Sequence, residues 1–167
     1  MAEPKVLVVM GSDSDYEIMK SCLKILRKFE IGFECMVCSA HRTPDEAANL
    51  AKNAIENGFD AIIAAAGKSA HLPGVIAAYT TLPVIGVPIV SGELDGMDAL
   101  LSIVQMPPGI PVASVAINGA LNAGILACEI LSLKYDNLKK VLLEYKNEMK
   151  KKVEEKNNAL QQKIADL

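Results

Sequence analysis

The chain has 167 residues, 51% of them hydrophobic, and we predict a single domain over residues 1–167 with a substantial core. A net charge of −3, 4% aromatic residues and no basic block argue against a nucleic-acid surface, and no apolar run is long enough to span a bilayer. Because no amino-terminal signal pattern is present either, we expect a cytoplasmic protein.

Short apolar runs alternate with helical patterns along most of the chain. The first run, residues 5–10, is continuously apolar, which is typical of a strand buried on both faces of a parallel sheet. In chain order the patterns predict strands at 5–10, 32–38, 59–66, 83–88 and 112–117, helices at 15–29, 44–57, 75–80, 97–104 and 118–133, and loops at 67–74, 92–96 and 105–111. The alternation predicts an α/β fold, a three-layer αβα sandwich with a parallel five-stranded sheet.

The composition changes after Tyr135. Apolar residues then recur at three- and four-residue spacing between lysines and glutamates: Leu138, Val141, Leu142, Tyr145, Met149 and Val153. This pattern predicts a long C-terminal amphipathic helix, which residues 157–167 either extend or leave frayed. Such a helix is too long for one small domain to cover, so we expect it to reach a neighbouring subunit. The alternative is a solvated surface helix.

Two of the four cysteines, Cys35 and Cys38, have the spacing of a redox or zinc half-site. A metal site requires more ligands, however, and residues three apart in a strand point to opposite faces. We therefore interpret the cysteines as reduced core residues and predict no metal.

The segment Gly11–Asp15 follows the first predicted strand and opens a helix. Its tight turn, two serine hydroxyls and exposed amides favour a phosphate group. Asp13 and Asp15 would repel an anion unless one binds a sugar hydroxyl or caps the helix, so a sugar phosphate suits the loop best. Ordinary helix capping is the alternative, because serine and aspartate also precede helices for that reason.

His41 follows the second predicted strand, within Ser39-Ala40-His41-Arg42-Thr43-Pro44. Ligands bind at the carboxyl edge of the sheet in open α/β folds, and histidine exchanges protons near neutral pH. We predict that His41 transfers protons beside a sugar-phosphate site, which favours an isomerase, lyase or mutase. The alternative is a surface loop residue that helps Thr43 to cap a helix. The second histidine, His71, lies at another junction between a strand and a helix.

Four separated motifs resemble the PurE family (class I), the carboxyaminoimidazole ribonucleotide mutases of purine biosynthesis. They are Met10-Gly11-Ser12-Asp13-Ser14-Asp15, Ser39-Ala40-His41-Arg42-Thr43-Pro44, Ala70-His71-Leu72-Pro73-Gly74 and the run from Ser102 to Val112. The resemblance covers about residues 4 to 150. It implies a flavodoxin-like domain in an octamer, a ribonucleotide substrate and no cofactor. The implied reaction moves a carboxylate from the exocyclic nitrogen to a ring carbon.

The resemblance also implies roles for individual residues. His41 corresponds to the histidine that shuttles a proton between the ring carbon and the amine nitrogen. The implied substrate-binding residues are Ser12, Asp15 and Arg42, with Ser14 and Ser39 as hydroxyls on the phosphate side, and Gly67, Ala70, His71 and Leu72 as the loop that walls the imidazole. Ala40, Leu72 and residues 106–111 suit the apolar walls of a pocket for carbon dioxide.

The chain departs from the family pattern at two places. Gly67-Lys68-Ser69-Ala70 replaces a run of the type Gly-Gly-Ala-Ala, so that Lys68 adds a cation to the predicted substrate site, and the helix near Asn118-Gly119 is shorter than usual. A catalytic His71 and a His71 held by backbone bonds near a subunit contact both remain open. Two alternatives to the mutase also remain: a direct carboxylase that uses carbon dioxide, and a non-enzymatic nucleotide-binding module.

Overall fold

The computed structural model describes residues 3–92 and 94–167. Its sheet consists of Lys5–Met10 (β1), Gly32–Val37 (β2), Ala61–Gly67 (β3), Val84–Ile89 (β4) and Ala113–Ser114 (β5). All neighbouring strands are parallel, in the order β2-β1-β3-β4-β5. This confirms the predicted five-stranded parallel sheet. The chain reverses its direction of winding between β1 and β3, and such a reversal opens a crevice at the carboxyl edge.

In the part of the chain that the structure describes, six α-helices cover the two faces of the sheet: Tyr16–Lys28 (α1), Pro44–Asn53 (α2), Leu72–Ala77 (α3), Met97–Val104 (α4), Ala120–Leu131 (α5) and Asp136–Ala165 (α6). Residues of β1 alternate between two cores, with Val6 and Val8 on the side of α1, α5 and α6 and Leu7 and Val9 on the side of α2, α3 and α4. The predicted three-layer sandwich is therefore confirmed.

Helix α5 packs closely on α1 because its inner face consists of small residues. A side-chain carbon added at Gly124 would lie 2.4 Å from Cγ2 of Ile25 and 3.2 Å from the carbonyl oxygen of Cys22. This is the close packing that the small residues of the predicted helix 118–133 favour.

Several predicted boundaries are wrong. Helix α3 begins at Leu72 rather than residue 75, because Pro73 is accepted in the first helical turn. Helix α2 ends at Asn53 rather than 57, and β3 begins at Ala61 rather than 59. Glu93, part of the predicted loop 92–96, lies outside the described residues.

Strand β5 has two residues instead of the predicted six at 112–117. Its neighbour β4 contains Pro88, whose carbonyl accepts a hydrogen bond from the Asn118 amide at 2.8 Å on the β5 side. Proline has no amide hydrogen to donate in return. The regular ladder therefore ends after Ser114, although the chain continues beside β4 as far as Asn118.

Helix α6 spans 30 residues, so the tail of the chain extends the helix instead of fraying. Its first half packs on the domain through buried Leu138 and through Tyr145, whose ring meets that of Phe29 edge-on at 5.3 Å. Beyond Met149 every residue of the helix is exposed. The long amphipathic helix is confirmed, whereas its contact with a neighbouring subunit stays a prediction.

Cys35 and Cys38 pack into opposite cores, which confirms that they are core residues. Burial raises the pKa of the Cys22 and Cys128 thiols to about 12, so both remain protonated at neutral pH. Within residues 3–92 and 94–167, no group of three or more histidine, cysteine or acidic residues is arranged to hold a metal ion. In the same ranges, no helix combines the length and apolar composition that crossing a membrane requires.

Candidate functional site

The loops that follow β1, β2, β3 and β4 surround one cavity of about 680 Å³ at the carboxyl edge of the sheet. Its lining residues come from four separate parts of the chain: Gly11, Ser12, Ser14, Asp15, Ser39, Ala40, His41, Arg42, Ala66, Gly67, Lys68, Ser69, His71, Leu72 and Ser91. The cavity is lined by His41 and by every predicted substrate-binding residue except Ala70, which is buried in the core beneath its loop.

The loop after β1 is a capped turn that also presents two hydroxyls to the cavity. Ser12 accepts a hydrogen bond from the Ser14 amide at 3.3 Å, and Asp15 Oδ2 accepts one from the Ser12 amide at 3.2 Å. The Ser14 hydroxyl donates to Ser12 Oγ at 2.8 Å. The capping alternative is therefore present in the structure, and it positions the same serines at the cavity wall.

Asp15 is a buried carboxyl group in this polar turn, with 4% of its surface exposed. Burial raises its pKa above the ordinary value, and the neighbouring charge of Asp13 acts in the same direction. The hydrogen bond from the Ser12 amide opposes this increase. Asp15 is thus a constrained acceptor at the cavity wall.

The loop after β2 holds Arg42 through the Ser39 side chain. Ser39 Oγ accepts hydrogen bonds from the Arg42 amide at 3.2 Å and from Arg42 Nε at 3.4 Å. Thr43 closes the loop, because its hydroxyl donates to the Ser39 carbonyl at 3.1 Å and accepts from the Ser39 amide at 3.0 Å. Thr43 makes no side-chain cap at the α2 terminus, so it braces the loop instead of capping the helix as the alternative supposed.

His41 and His71 meet across the cavity although they are 30 positions apart in the chain. His41 Nε2 lies 2.8 Å from His71 Nδ1, with the rings edge-on at 4.9 Å between centroids. One ring nitrogen must donate and the other accept, so the tautomers of the two rings are linked. Within the described ranges the ring of His71 is thus paired with the side chain of His41.

Lys68 adds a cation to the cavity. Its backbone has a conformation that favours glycine. Its φ is +55°, in the left-handed region, where a side chain costs roughly 1–2 kcal/mol. Among residues 3–92 and 94–167 it has no ion-pair partner within 4 Å. Two cations, Arg42 and Lys68, thus line the cavity together with Asp15.

Sequence reasoning placed Gly11 in the predicted phosphate loop but missed Ala66, Ser69 and Ser91 as lining residues. Ala66 and Ser91 lie at the carboxyl ends of β3 and β4, and the rule that pointed to His41 after β2 applies equally to these strands. Residues 106–111, predicted as an apolar wall, do not line the cavity of the single chain. Met106 packs on α3 instead, since its Sδ would lie 3.0 Å from a side-chain carbon added at Gly74.

Comparison with known proteins identifies the family. Residues 5–152 match the family described as AIR carboxylase, a range that includes the whole sheet and every loop of the cavity. The chain belongs to the AIR carboxylase family. The residues outside this match are 1–4 and 153–167, the second range being the exposed end of α6 and the residues after it.

Curated proteins of known name also resemble this chain over most of its length. The N5-carboxyaminoimidazole ribonucleotide mutase of Pyrococcus abyssi is 57% identical over 89% of this chain and 85% of its own. The mutase of the same name from Thermotoga maritima is 54% identical over 95% of this chain and 93% of its own. The crystal structure of Treponema denticola PurE superimposes with a TM-score of 0.84 at 28% identity, covering 95% of this chain and 99% of that one.

Proposed function

We propose that this protein catalyses the N5-carboxyaminoimidazole ribonucleotide mutase reaction of purine biosynthesis. Relatives of that name at more than 50% identity support the reaction. The observation that carries the proposal is the contact between His41 and His71 inside the cavity, at 2.8 Å. A linked pair of imidazoles is suited to moving a proton between two atoms of one substrate.

The polar side of the cavity accommodates the phosphate and ribose groups of the substrate. Arg42 supplies a charge-assisted donor, and the hydroxyls of Ser12 and Ser14 supply neutral ones. The Asp15 carboxyl group is an acceptor for a ribose hydroxyl, because only one of its oxygens is bound by the Ser12 amide. These contacts fix one end of the nucleotide and direct its imidazole towards the histidines.

The reaction breaks a carbon–nitrogen bond and forms a carbon–carbon bond. As the carbamate releases carbon dioxide, His41 donates a proton to the exocyclic nitrogen. The electron-rich ring carbon then attacks carbon dioxide, and its own proton returns to His41. His71 holds the His41 ring in place through both half-steps. Apolar Ala40, Ala66 and Leu72 surround the site of transfer and shield carbon dioxide from hydration. No metal, cofactor or ATP is required by this scheme.

An isotope experiment tests the mutase against direct carboxylation. Substrate labelled at the carbamate carbon is turned over in unlabelled bicarbonate, without ATP, and the earliest product is analysed by mass spectrometry. The mutase is expected to retain most of the label, because the apolar wall of Ala40, Ala66 and Leu72 keeps carbon dioxide beside the ring. Complete loss of label would favour the direct carboxylase, which the description of the family also includes. Absence of any turnover would favour the non-enzymatic nucleotide-binding module.

We also propose that residues 1–167 form one catalytic domain that assembles into a homo-octamer in the cytoplasm. Two apolar surfaces support assembly. The outer face of α4 exposes Met97, Leu101 and Val104 by 50%, 50% and 49%. The exposed half of α6 carries Met149, Val153, Leu160 and Ile164 within one narrow stripe. Such surfaces on a single chain are typical of contacts between subunits.

Light scattering tests the assembly. Leu101→Glu should reduce the number of subunits, because it places a charge on the exposed face of α4 without entering the core. Leu133→Glu is the matched control, since Leu133 is 85% exposed in the turn after α5 and lies on neither surface. An unchanged mass for Leu101→Glu would exclude α4 from the subunit contacts.

A further inference from the structure

Ser91 follows β4 and lines the cavity, yet its hydroxyl has no hydrogen-bond partner among the residues that the structure describes. The oxygen is buried, so solvent does not replace the missing partner. A buried polar group without a partner destabilises a folded protein. Alanine would fill nearly the same space at no such cost. Stability of the free protein therefore does not explain a serine here.

The Ser91 side chain packs closely against Gly67 at the end of β3. A side-chain carbon added at Gly67 would lie 2.0 Å from Ser91 Oγ and 2.8 Å from Ser91 Cβ. Only glycine at position 67 leaves room for Ser91 in its present place. The end of β3 and the end of β4 thus meet at this contact, on the wall of the cavity.

Asn118 holds the backbone immediately before Ser91. Its side-chain oxygen accepts a hydrogen bond from the Val90 amide at 3.0 Å, and its own amide donates to the Pro88 carbonyl at 2.8 Å. Asn118 does this with a φ of +56°, a conformation that asparagine tolerates better than most residues. The short segment before α5 therefore clamps the end of β4 and limits the movement of Ser91.

The order of the strands places Ser91 far from Arg42. Arg42 follows β2 and Ser91 follows β4, and three strand spacings, roughly 14 Å in total, separate these positions. A ribonucleotide whose phosphate is bound by Arg42 and Ser12 extends its imidazole towards β3 and β4. The group of the substrate that comes nearest to Ser91 is then the carboxyl group carried by that imidazole.

We propose that the Ser91 hydroxyl hydrogen-bonds to the carboxyl group of the carboxylated nucleotide, an assignment that rests on the proposed function. Rotation about the Cα–Cβ bond, between staggered positions, turns the hydroxyl from Gly67 to the ligand without backbone movement. The hydroxyl gains in the complex the partner that it lacks in the free protein. A neutral donor also suits a group that leaves as carbon dioxide and returns as carboxylate.

Calorimetric binding of two nucleotides to wild type and Ser91→Ala tests the assignment. The first nucleotide is the carboxylated product, and the second is aminoimidazole ribonucleotide, which lacks the carboxyl group. Ser91→Ala should bind the carboxylated nucleotide at least about tenfold more weakly, as expected for a hydrogen bond to a charged group. Its affinity for the uncarboxylated nucleotide should remain within twofold of wild type. Its melting temperature should not fall, because no hydrogen bond of the free protein is lost.

Ser132→Ala is the matched control. Ser132 is also buried, but its hydroxyl donates to the Glu129 carbonyl at 2.7 Å in α5, away from the cavity. This variant should have a lower melting temperature and unchanged affinities. Unchanged binding by Ser91→Ala, or an equal loss for both nucleotides, would overturn the role of Ser91 while leaving the proposed function intact. A wild-type protein that binds neither nucleotide would overturn the proposed function, and this role with it.

Discussion

Polar side chains from distant parts of the chain gather both at the amino ends of the strands (the amino edge) and at their carboxyl ends (the carboxyl edge). Their roles differ between the two edges. At the amino edge, the Asp60 carboxylate accepts hydrogen bonds from the Lys5 amide at 3.1 Å, from Lys134 Nζ at 2.7 Å and from the Tyr135 hydroxyl at 3.1 Å. These contacts tie the start of α6 to the beginnings of β1 and β3. Each polar group in this cluster, which we call the amino-edge network, is paired with another.

At the carboxyl edge the polar groups line a cavity, and some of them lack a partner in the protein. Lys68 and the Ser91 hydroxyl have no hydrogen-bond or ion-pair partner within the described ranges, and the two histidines pair only with one another there. A fully paired network stabilises the fold, whereas unpaired groups around a cavity leave their binding capacity to a ligand. The comparison therefore separates structural from functional residues, and it predicts opposite effects of substitution at the two edges.

The largest effect is expected at the carboxyl edge, for His41→Asn. Turnover should fall roughly 100- to 10,000-fold, because the amide cannot exchange a proton near neutral pH. The free energy of unfolding should change by less than about 0.5 kcal/mol, since His41 is exposed. Steady-state kinetics and urea unfolding measure the two quantities, and nucleotide binding should persist. Turnover within a few-fold of wild type would remove His41 from the proton transfer.

Asp60→Ala at the amino edge should have the opposite effect, a large loss of stability without a loss of turnover. The free energy of unfolding should fall by about 3 kcal/mol, because three donors lose a charged acceptor whose side chain is only 12% exposed. Turnover per folded molecule should not change. Asp136→Ala is the control: its ion pair with Lys139 is exposed, so urea unfolding should detect a much smaller change. Impaired turnover in folded Asp60→Ala would mean that the two edges are coupled.

Lys68→Gly should have opposite effects on stability and on substrate binding, although it changes a single residue of the carboxyl edge. Glycine relieves the left-handed backbone, so we expect the free energy of unfolding to rise by about 1 kcal/mol. Loss of the cation should raise KM for the carboxylated substrate and increase the escape of label in the isotope experiment. An unchanged KM and unchanged label retention would place the ammonium in solvent.

Glu30→Gly is the matched control for Lys68→Gly. Glu30 has nearly the same backbone conformation, with a φ of +56°, but it lies after α1 and away from the cavity. It should show a similar gain in stability with unchanged kinetics. The difference between the two variants then isolates the contribution of the Lys68 ammonium to binding.

The smallest effect concerns the pH dependence of stability at Asp15. Because its pKa is raised in the folded protein, the folded state binds the proton more tightly than the unfolded state does. Ionisation of Asp15 therefore lowers stability as pH rises from the unfolded value near 3.8 to the raised folded value. Asp15→Asn keeps an acceptor for the Ser12 amide and should lack this decline. Urea unfolding of both proteins between about pH 3 and 7 measures the difference; parallel curves would contradict the raised pKa.

The sequence by itself determined the succession of strands and helices along the chain and the parallel character of the sheet. Uninterrupted apolar runs such as residues 5–10 are stable only when both faces are covered, and glycine and proline punctuate the chain between them. It also located the loops of the site, because in such a fold polar residues that follow a strand gather at one edge. Local composition encodes these features, so no knowledge of distant contacts was required.

Only the tertiary structure decided which residues meet. Nothing local to residues 112–117 predicts that β5 ends at Ser114, since the cause is a missing amide hydrogen on Pro88 in the neighbouring strand. The pairing of His41 with His71 and the fit of Ser91 over Gly67 likewise depend on loops from different strands. Hydrogen bonding and close packing act over a few ångströms between residues far apart in sequence, so the backbone must first be folded before these partners are defined.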